Sequence, residues 1–197
     1  MSAITVETLT DRAAREAALP DLARLRITVF RDWPYLYEGS LDYESRYLAG
    51  FLEEPGAILI VAKDGDRIVG AATASPMASQ DADMRKLFED AGHDVNKLHY
   101  FGESVLLSDY RGHGLGHRFF DAREAAAIAG GASAACFFGV VRPASPPLRP
   151  AAARDPAPFS RGRGYAPLAG LIAHYDWQDI DQSEETAHPM QFWHRTF

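Results

Sequence analysis

The stretch Ser104–Asp121, SVLLSDYRGHGLGHRFFD, constrains this chain more than any other. A short apolar run stops, an arginine follows, and Gly112, Gly114 and Gly116 alternate before a helical pattern begins. Each glycine inside a helix costs up to about 1 kcal/mol relative to alanine. Three of them at a helix start therefore imply a need for bare backbone. A strand that passes through glycines into a helix builds an anion site. The unpaired N–H groups of the first turn converge outside it, the helix dipole favours negative charge, and no side chain blocks a phosphate.

The rest of the chain supplies the setting. The alternation of AITVETL predicts a first strand over residues 3–8, and Leu22, Leu25, Val29 and Phe30 form an apolar stripe that predicts a helix from Pro20 to Arg31. Pro34 and Gly39 break that pattern, and Ser40 can cap a second helix running to Leu52 with Tyr47, Leu48 and Phe51 inward. Two β-rich runs around Asp64-Gly65 predict a hairpin. A short helical insertion over 81–91 and a strand in HYFGESVLL come next. Gly114 to Gly130 reads as a helix with Leu115, Phe119, Ala122, Ala126 and Ala129 on its packing face, followed by a buried strand in ACFFGVV. Arg142 to Gly164, with its six prolines and five arginines, reads as irregular with at most a short helix, and can be a lid or a longer crossover. LIAHYDWQDI and MQFWHRTF predict two final strands paired antiparallel. The reading is one mixed α/β domain over residues 1–197.

Composition excludes several classes. At 47% hydrophobic and 24% charged, the 197 residues suit a soluble domain with a sizeable core. A net charge of -7 disfavours nucleic acid as a partner. Cys136 is the only cysteine, so neither an intrachain disulfide nor a cysteine zinc cluster can form. No run of 18 apolar residues and no basic-then-apolar leader is visible, so no membrane association and a cytoplasmic location are expected. His113 and His117 are one helical turn apart, but no third ligand is evident, so no metal is expected.

Other phosphate loops fail at specific positions. Walker A needs a Lys-Ser/Thr ending, the dinucleotide fingerprint needs glycine where His117 stands, and the nucleophile elbow fails because Leu106 follows Gly102-Glu103-Ser104-Val105. What matches is R-x-x-G-x-G, from Arg111 through Gly112, His113, Gly114 and Leu115 to Gly116. With VLLSDY before it and HRFF after it, the stretch resembles the coenzyme A loop of the GNAT superfamily of acyl-CoA-dependent N-acyltransferases, and the element order is similar over nearly the whole chain. The resemblance implies a mostly antiparallel mixed sheet of six or seven strands flanked by helices. It implies that the backbone of Arg111 to His117 holds the coenzyme A diphosphate and that the main chain of Val105, Leu106 and Leu107 pairs with the pantetheine arm. Glu103 to Leu107 spans about 13 Å at strand rise, of the order of that arm, which puts the thioester near Glu103. Arg111 can bind phosphate or be a solvated loop residue.

The donor implied is acetyl-CoA and the acceptor an amine, by direct transfer in a ternary complex. Glu103 is the candidate general base, sharing a face of an unbulged strand with Phe101, Val105 and Leu107, where burial would strengthen a base. The alternative is a satisfied structural carboxylate. Where many family members carry an acid tyrosine, four residues before Gly164-Tyr165, this chain has Ser160. Tyr100, Tyr110 or solvent can protonate the thiolate instead. Trp33, Tyr35 and Tyr37 can wall an acceptor pocket with Glu38, Asp42 and Glu44 attracting a cation; otherwise they pack the domain. The competing reading is a non-catalytic acyl-CoA sensor or interaction module on the same fold. Homodimers are common in the family, and the strand around Trp193 can serve one.

Overall fold

The computed structural model describes residues 4–143, 149–151, 153 and 155–197. Its central hairpin joins β2 (Ile58–Asp64) to β3 (Arg67–Pro76), with Asp64 paired to Arg67. The turn is therefore Gly65-Asp66, one residue later than the dipeptide that the sequence suggested. Gly65 takes φ +59°, the conformation a glycine-first hairpin turn requires. β1 (Thr5–Leu9) flanks β2, β4 (Leu98–Leu106) flanks β3, and β5 (Ala134–Val140) lies beyond β4. The two last strands, β6 (Ala166–Gln178) and β7 (Glu185–Thr196), pair antiparallel as expected, with β7 next to β5 and β6 outermost. The order is β1-β2-β3-β4-β5-β7-β6, and among the described residues only β4 and β5 pair in parallel. The expected strand start at Ala3 and parts of the irregular segment (144–148, 152 and 154) fall outside the described residues.

Five α-helices accompany the sheet among the described residues: α1 (Arg12–Phe30), α2 (Leu41–Glu53), α3 (Ala82–Asp90), α4 (Leu115–Ala129) and α5 (Ala157–Gly162). α1 begins eight residues earlier than expected. Asp11 caps it by accepting from the Ala14 amide, and the buried series Arg15, Ala18, Leu22 and Leu25 carries it through Pro20. Ser40 caps α2 through the Tyr43 amide. Leu48 and Phe51 point inward, but Tyr47 stays half exposed, with the Arg26 guanidinium over its ring at 4.4 Å.

Two cores sandwich the sheet. Ile60, Ala72 and Phe101 pack with Leu115 and Phe119 of α4 on one face. Leu59, Val61, Ala71 and Val105 pack with Leu22, Leu25 and Leu48 of α1 and α2 on the other. α4 buries Leu115, Phe119, Phe120, Arg123 and Ala127; Ala122 and Ala126 are only partly covered and Ala129 is exposed.

One irregularity positions everything that follows. Ala72 pairs with Ser104 but Ala74 pairs with Phe101, so β4 carries one residue more than β3 at Gly102–Glu103. Gly102 is needed there because a Cβ would come within 2.4 Å of Thr73 Oγ1. The expectation of an unbulged strand is thereby corrected: the extra residue sends Phe101 into the α4 core and Val105 into the α1–α2 core. Next door, β5 pairs with β4 only from Ala134 to Cys136, then leaves it and stays with β7 through Val140. A gap opens between β4 and β5 beyond Tyr100.

Candidate functional site

The gap is a cavity of about 750 Å³ that reaches from Arg111 and Gly116 to Gly102 and Glu103, walled by Phe119, Phe120, Phe137 and Trp193. At its outer end stands the glycine loop. Gly112 and Gly114 have φ +83° and +76°, and the space around both is open. Gly116 has no such φ, and an added Cβ would touch Phe159 at an ordinary 3.5 Å. Conformation thus requires glycine at the first two positions only. The first helical bond runs from Arg118 N–H to Gly114 O at 3.2 Å, which leaves the amides of Leu115, Gly116 and His117 ahead of the ladder. The Arg111 amide, included in the expected phosphate set, already donates to Ser108 O at 3.1 Å. Its side chain reaches Leu106 O through Nε at 3.1 Å and lies 3.7 Å from Asp32. The His113 ring sits 3.4 Å from Tyr110 O, and the His117 ring packs against Phe159. Val105 is fully buried, and Leu106 and Leu107 are half-buried beside it.

At the inner end lies Glu103, its side chain 6% exposed. Arg26 Nη1 donates to it at 2.7 Å, while Arg26 Nε donates to the wholly buried Glu44. Burial alone would lower the Arg26 pKa, but Glu103, Tyr47 and Glu44 outweigh it and raise it above the ordinary range. The carboxylate expected to stand among apolar neighbours instead faces a guanidinium shared with a second carboxylate.

A second cavity of about 210 Å³ shares Gly102, Glu103 and Phe138 with the first. Tyr47 and Glu54 from the α2 side, Gln80 and Asp81 at the start of α3, and Tyr100 and Tyr175 line it. Burial raises the pKa of Glu54, opposed by hydrogen bonds from Ser75 and Gln80. Burial pushes Tyr100 well up and Tyr175 to about 12.

Trp33 and Tyr35 line the larger cavity, whereas Tyr37 lines neither; its ring packs on Tyr43, and burial and the Glu44 carboxylate raise its pKa. Arg142 fixes this loop by donating to the carbonyls of Pro34 and Tyr35 while gripping both Asp179 oxygens at 2.6 and 2.7 Å. Of the tyrosines considered as acids, Tyr100 borders the smaller cavity with Glu103, and Tyr110 is tied to Asp64 at 2.9 Å. Ser160 is buried beside the larger cavity with its hydroxyl 3.4 Å from Pro156 O.

A parallel pair of strands thus parts over a glycine-rich helix start. The model of the acetyltransferase (GNAT) family matches residues 22–150. The chain belongs to the GNAT family. Its GNAT fold is shared with solved structures along almost its whole length. The ribosomal-protein-alanine N-acetyltransferase from Brucella melitensis is 14% identical, with a TM-score of 0.61 over 98% of this chain and 99% of that one. YncA from Salmonella typhimurium, solved with its cofactor acetyl-CoA, is 12% identical over 99% and 94%, with a TM-score of 0.59. An aminoglycoside 6'-N-acetyltransferase complexed with coenzyme A is 17% identical over 98% and 96%, with a TM-score of 0.58. At such identities the likeness is one of fold. No curated protein matches the chain by sequence.

Against this GNAT frame, two arginines escaped the sequence reading. Arg26 lies four residues from both Leu22 and Phe30, and Arg123 four from both Phe119 and Ala127. Each interrupts an apolar stripe at helical spacing, which was the available signal.

Proposed function

We propose that the protein transfers an acyl group from a coenzyme A thioester, acetyl-CoA in the simplest case, to a primary amine by direct attack in a ternary complex. The observation that carries this reading is the meeting of two cavities at Glu103, one of them running back to the open amides at the start of α4. The diphosphate would lie on the amides of Leu115, Gly116 and His117, where the helix dipole favours it. The pantetheine arm would follow the edge of β4 that β5 leaves, past Val105, Leu106 and Leu107. The amine would come from the smaller cavity, whose Glu54, Asp81 and Glu103 favour a cationic acceptor before deprotonation.

Glu103 then takes the proton that the amine must lose. The C–N bond forms as the C–S bond breaks, and the departing thiolate regains a proton from solvent or from Tyr100. Arg26 acts as a positioning residue that aims the Glu103 carboxylate at the junction.

A second reading, an acyl-CoA sensor without turnover, draws support from the prior commitment of Glu103 to Arg26 and from Ser160 at the acid position. Calorimetric titration with acetyl-CoA, free coenzyme A, ATP and NAD tests the cleft. Selective binding of the coenzyme A forms is expected, and a preference for ATP or NAD would overturn the assignment. Release of free thiol in the presence of small amines and polyamines then separates enzyme from sensor. Thiol release that Glu103→Gln abolishes supports the enzyme; tight acetyl-CoA binding with no release for any amine supports the sensor.

A further inference from the structure

Arg123 occupies a place where a solvated charge cannot be. It is 1% exposed on the sheet-facing side of α4, and its guanidinium lies 4.6 and 4.5 Å from the ring centroids of Phe101 and Phe120. It borders the larger cavity, yet its Nε and Nη2 are buried with no hydrogen-bond partner. Arg26, Arg142 and Arg163 nearby each hold a carboxylate: Arg26 holds Glu103 and Glu44, Arg142 holds Asp179, and Arg163 holds Asp121 and Glu124. Glu124 also serves Arg195. Among the described residues no carboxylate pairs with Arg123. A buried, unpaired guanidinium carries a desolvation cost that a ligand anion would relieve. Burial lowers its pKa to about 10, so it remains charged at neutral pH.

Depth along the cleft says which anion. Nine residues separate Gly114 from Arg123, about 13 Å of helix. Glu103 lies a similar distance from Leu107, the residue that follows β4, and the contact of Arg123 with Phe101 shows that α4 and β4 run side by side there. Arg123 therefore stands at the thioester end and not at the diphosphate end. An acetyl group brings no charge to that end.

We infer that the preferred donor is a coenzyme A thioester whose acyl chain ends in a carboxylate, of the malonyl or succinyl type, with that carboxylate bound by Arg123. This rests on the reading of the larger cavity as the coenzyme A cleft and changes only the acyl group. The reaction balances as before. The amine nitrogen bonds to the thioester carbon, the C–S bond breaks, the amine proton goes to Glu103 and on to solvent, and the thiolate takes a proton back. The distal carboxylate is untouched, and the product is an amide that ends in a free acid. The aromatic walls exclude water and strengthen the charge pair.

Calorimetric titration of the full chain with free coenzyme A, butyryl-CoA and succinyl-CoA tests this, since the two acyl chains match in length and differ in charge. Succinyl-CoA is expected to bind at least tenfold more tightly than butyryl-CoA, and Arg123→Met, of similar volume, to cancel that difference with free coenzyme A as the reference. If free coenzyme A binds but succinyl-CoA gains nothing over butyryl-CoA, the inference falls and the cleft stands. A preference that persists in folded Arg123→Met also overturns it. If no coenzyme A form binds, the cleft reading falls and this inference with it. Should the variant fail to fold, the comparison within the unaltered chain decides.

Discussion

Arg26 carries more than any other single side chain here. It is held between two buried carboxylates, so Arg26→Met would leave Glu44 and Glu103 facing each other without a counter-charge. A loss of about 3–5 kcal/mol is expected, since breaking a buried pair from one side strands the other charge; urea unfolding measures it. Glu103→Gln keeps the shape and one acceptor oxygen. Its stability cost should be smaller, while turnover drops by about 10²–10⁴ if the carboxylate is the base, with unchanged acetyl-CoA affinity by calorimetry. His99 gives a third expectation at this scale. It is buried with Nε2 unpartnered, and burial lowers its pKa to about 4. The unfolded chain takes up that proton near pH 6.5 and the folded one only near 4. Stability should therefore fall as pH drops through this window, by up to about 1.4 kcal/mol per pH unit. His99→Gln should remove that part of the slope in unfolding curves at pH 7, 5.5 and 4.5. Residues of this kind were poorly legible in the sequence. Glu103 was visible as a carboxylate on a strand, but its partner lies 77 positions away. Nothing local announces such a pairing beyond an arginine standing in an apolar stripe.

At the scale of elements, the need for glycine at positions 112 and 114 could be anticipated because the demand is local: φ and open space depend on a few neighbouring residues. The structure divides the three glycines into two kinds, which yields a paired test. Gly114→Ala forces a side chain onto a positive φ and should cost about 1 kcal/mol as well as weaken coenzyme A binding. Gly116→Ala carries no such strain, so it should leave stability unchanged or higher and weaken binding only by crowding the first turn. Thermal unfolding and calorimetry on the two variants separate conformation from access. The β4 bulge, by contrast, could not be read. Whether Gly102 and Glu103 carry an extra residue depends on how β3 pairs with them, and Thr73 gives no sign of it in sequence. The start of α1 was missed for another reason. Pro20 looked like a helix boundary, while the buried face of α1 and the Asp11 cap override it.

At the scale of the whole molecule, the mixed α/β class and the antiparallel final strands followed from the order of periodic segments, and the mostly antiparallel sheet from the family resemblance. The placement of β7 between β5 and β6 did not, because strand order is set by long-range pairing. Arg142 shows what that order achieves. By gripping Asp179 and the carbonyls of Pro34 and Tyr35, it couples the end of the β6–β7 hairpin to the loop after α1, and so fixes Trp33 and Tyr35 over the cleft. The bulge at Gly102–Glu103 has a consequence for traffic. With the thioester in the larger cavity and the amine in the smaller one, as proposed above, neither substrate has to pass through the other's doorway, and neither product traps its partner inside. Initial-rate plots should therefore intersect rather than run parallel. Free coenzyme A should compete with the thioester and not with the amine. Parallel lines would mean that the acyl group waits on the protein between two visits, and that the common wall is a relay station instead of a crossing.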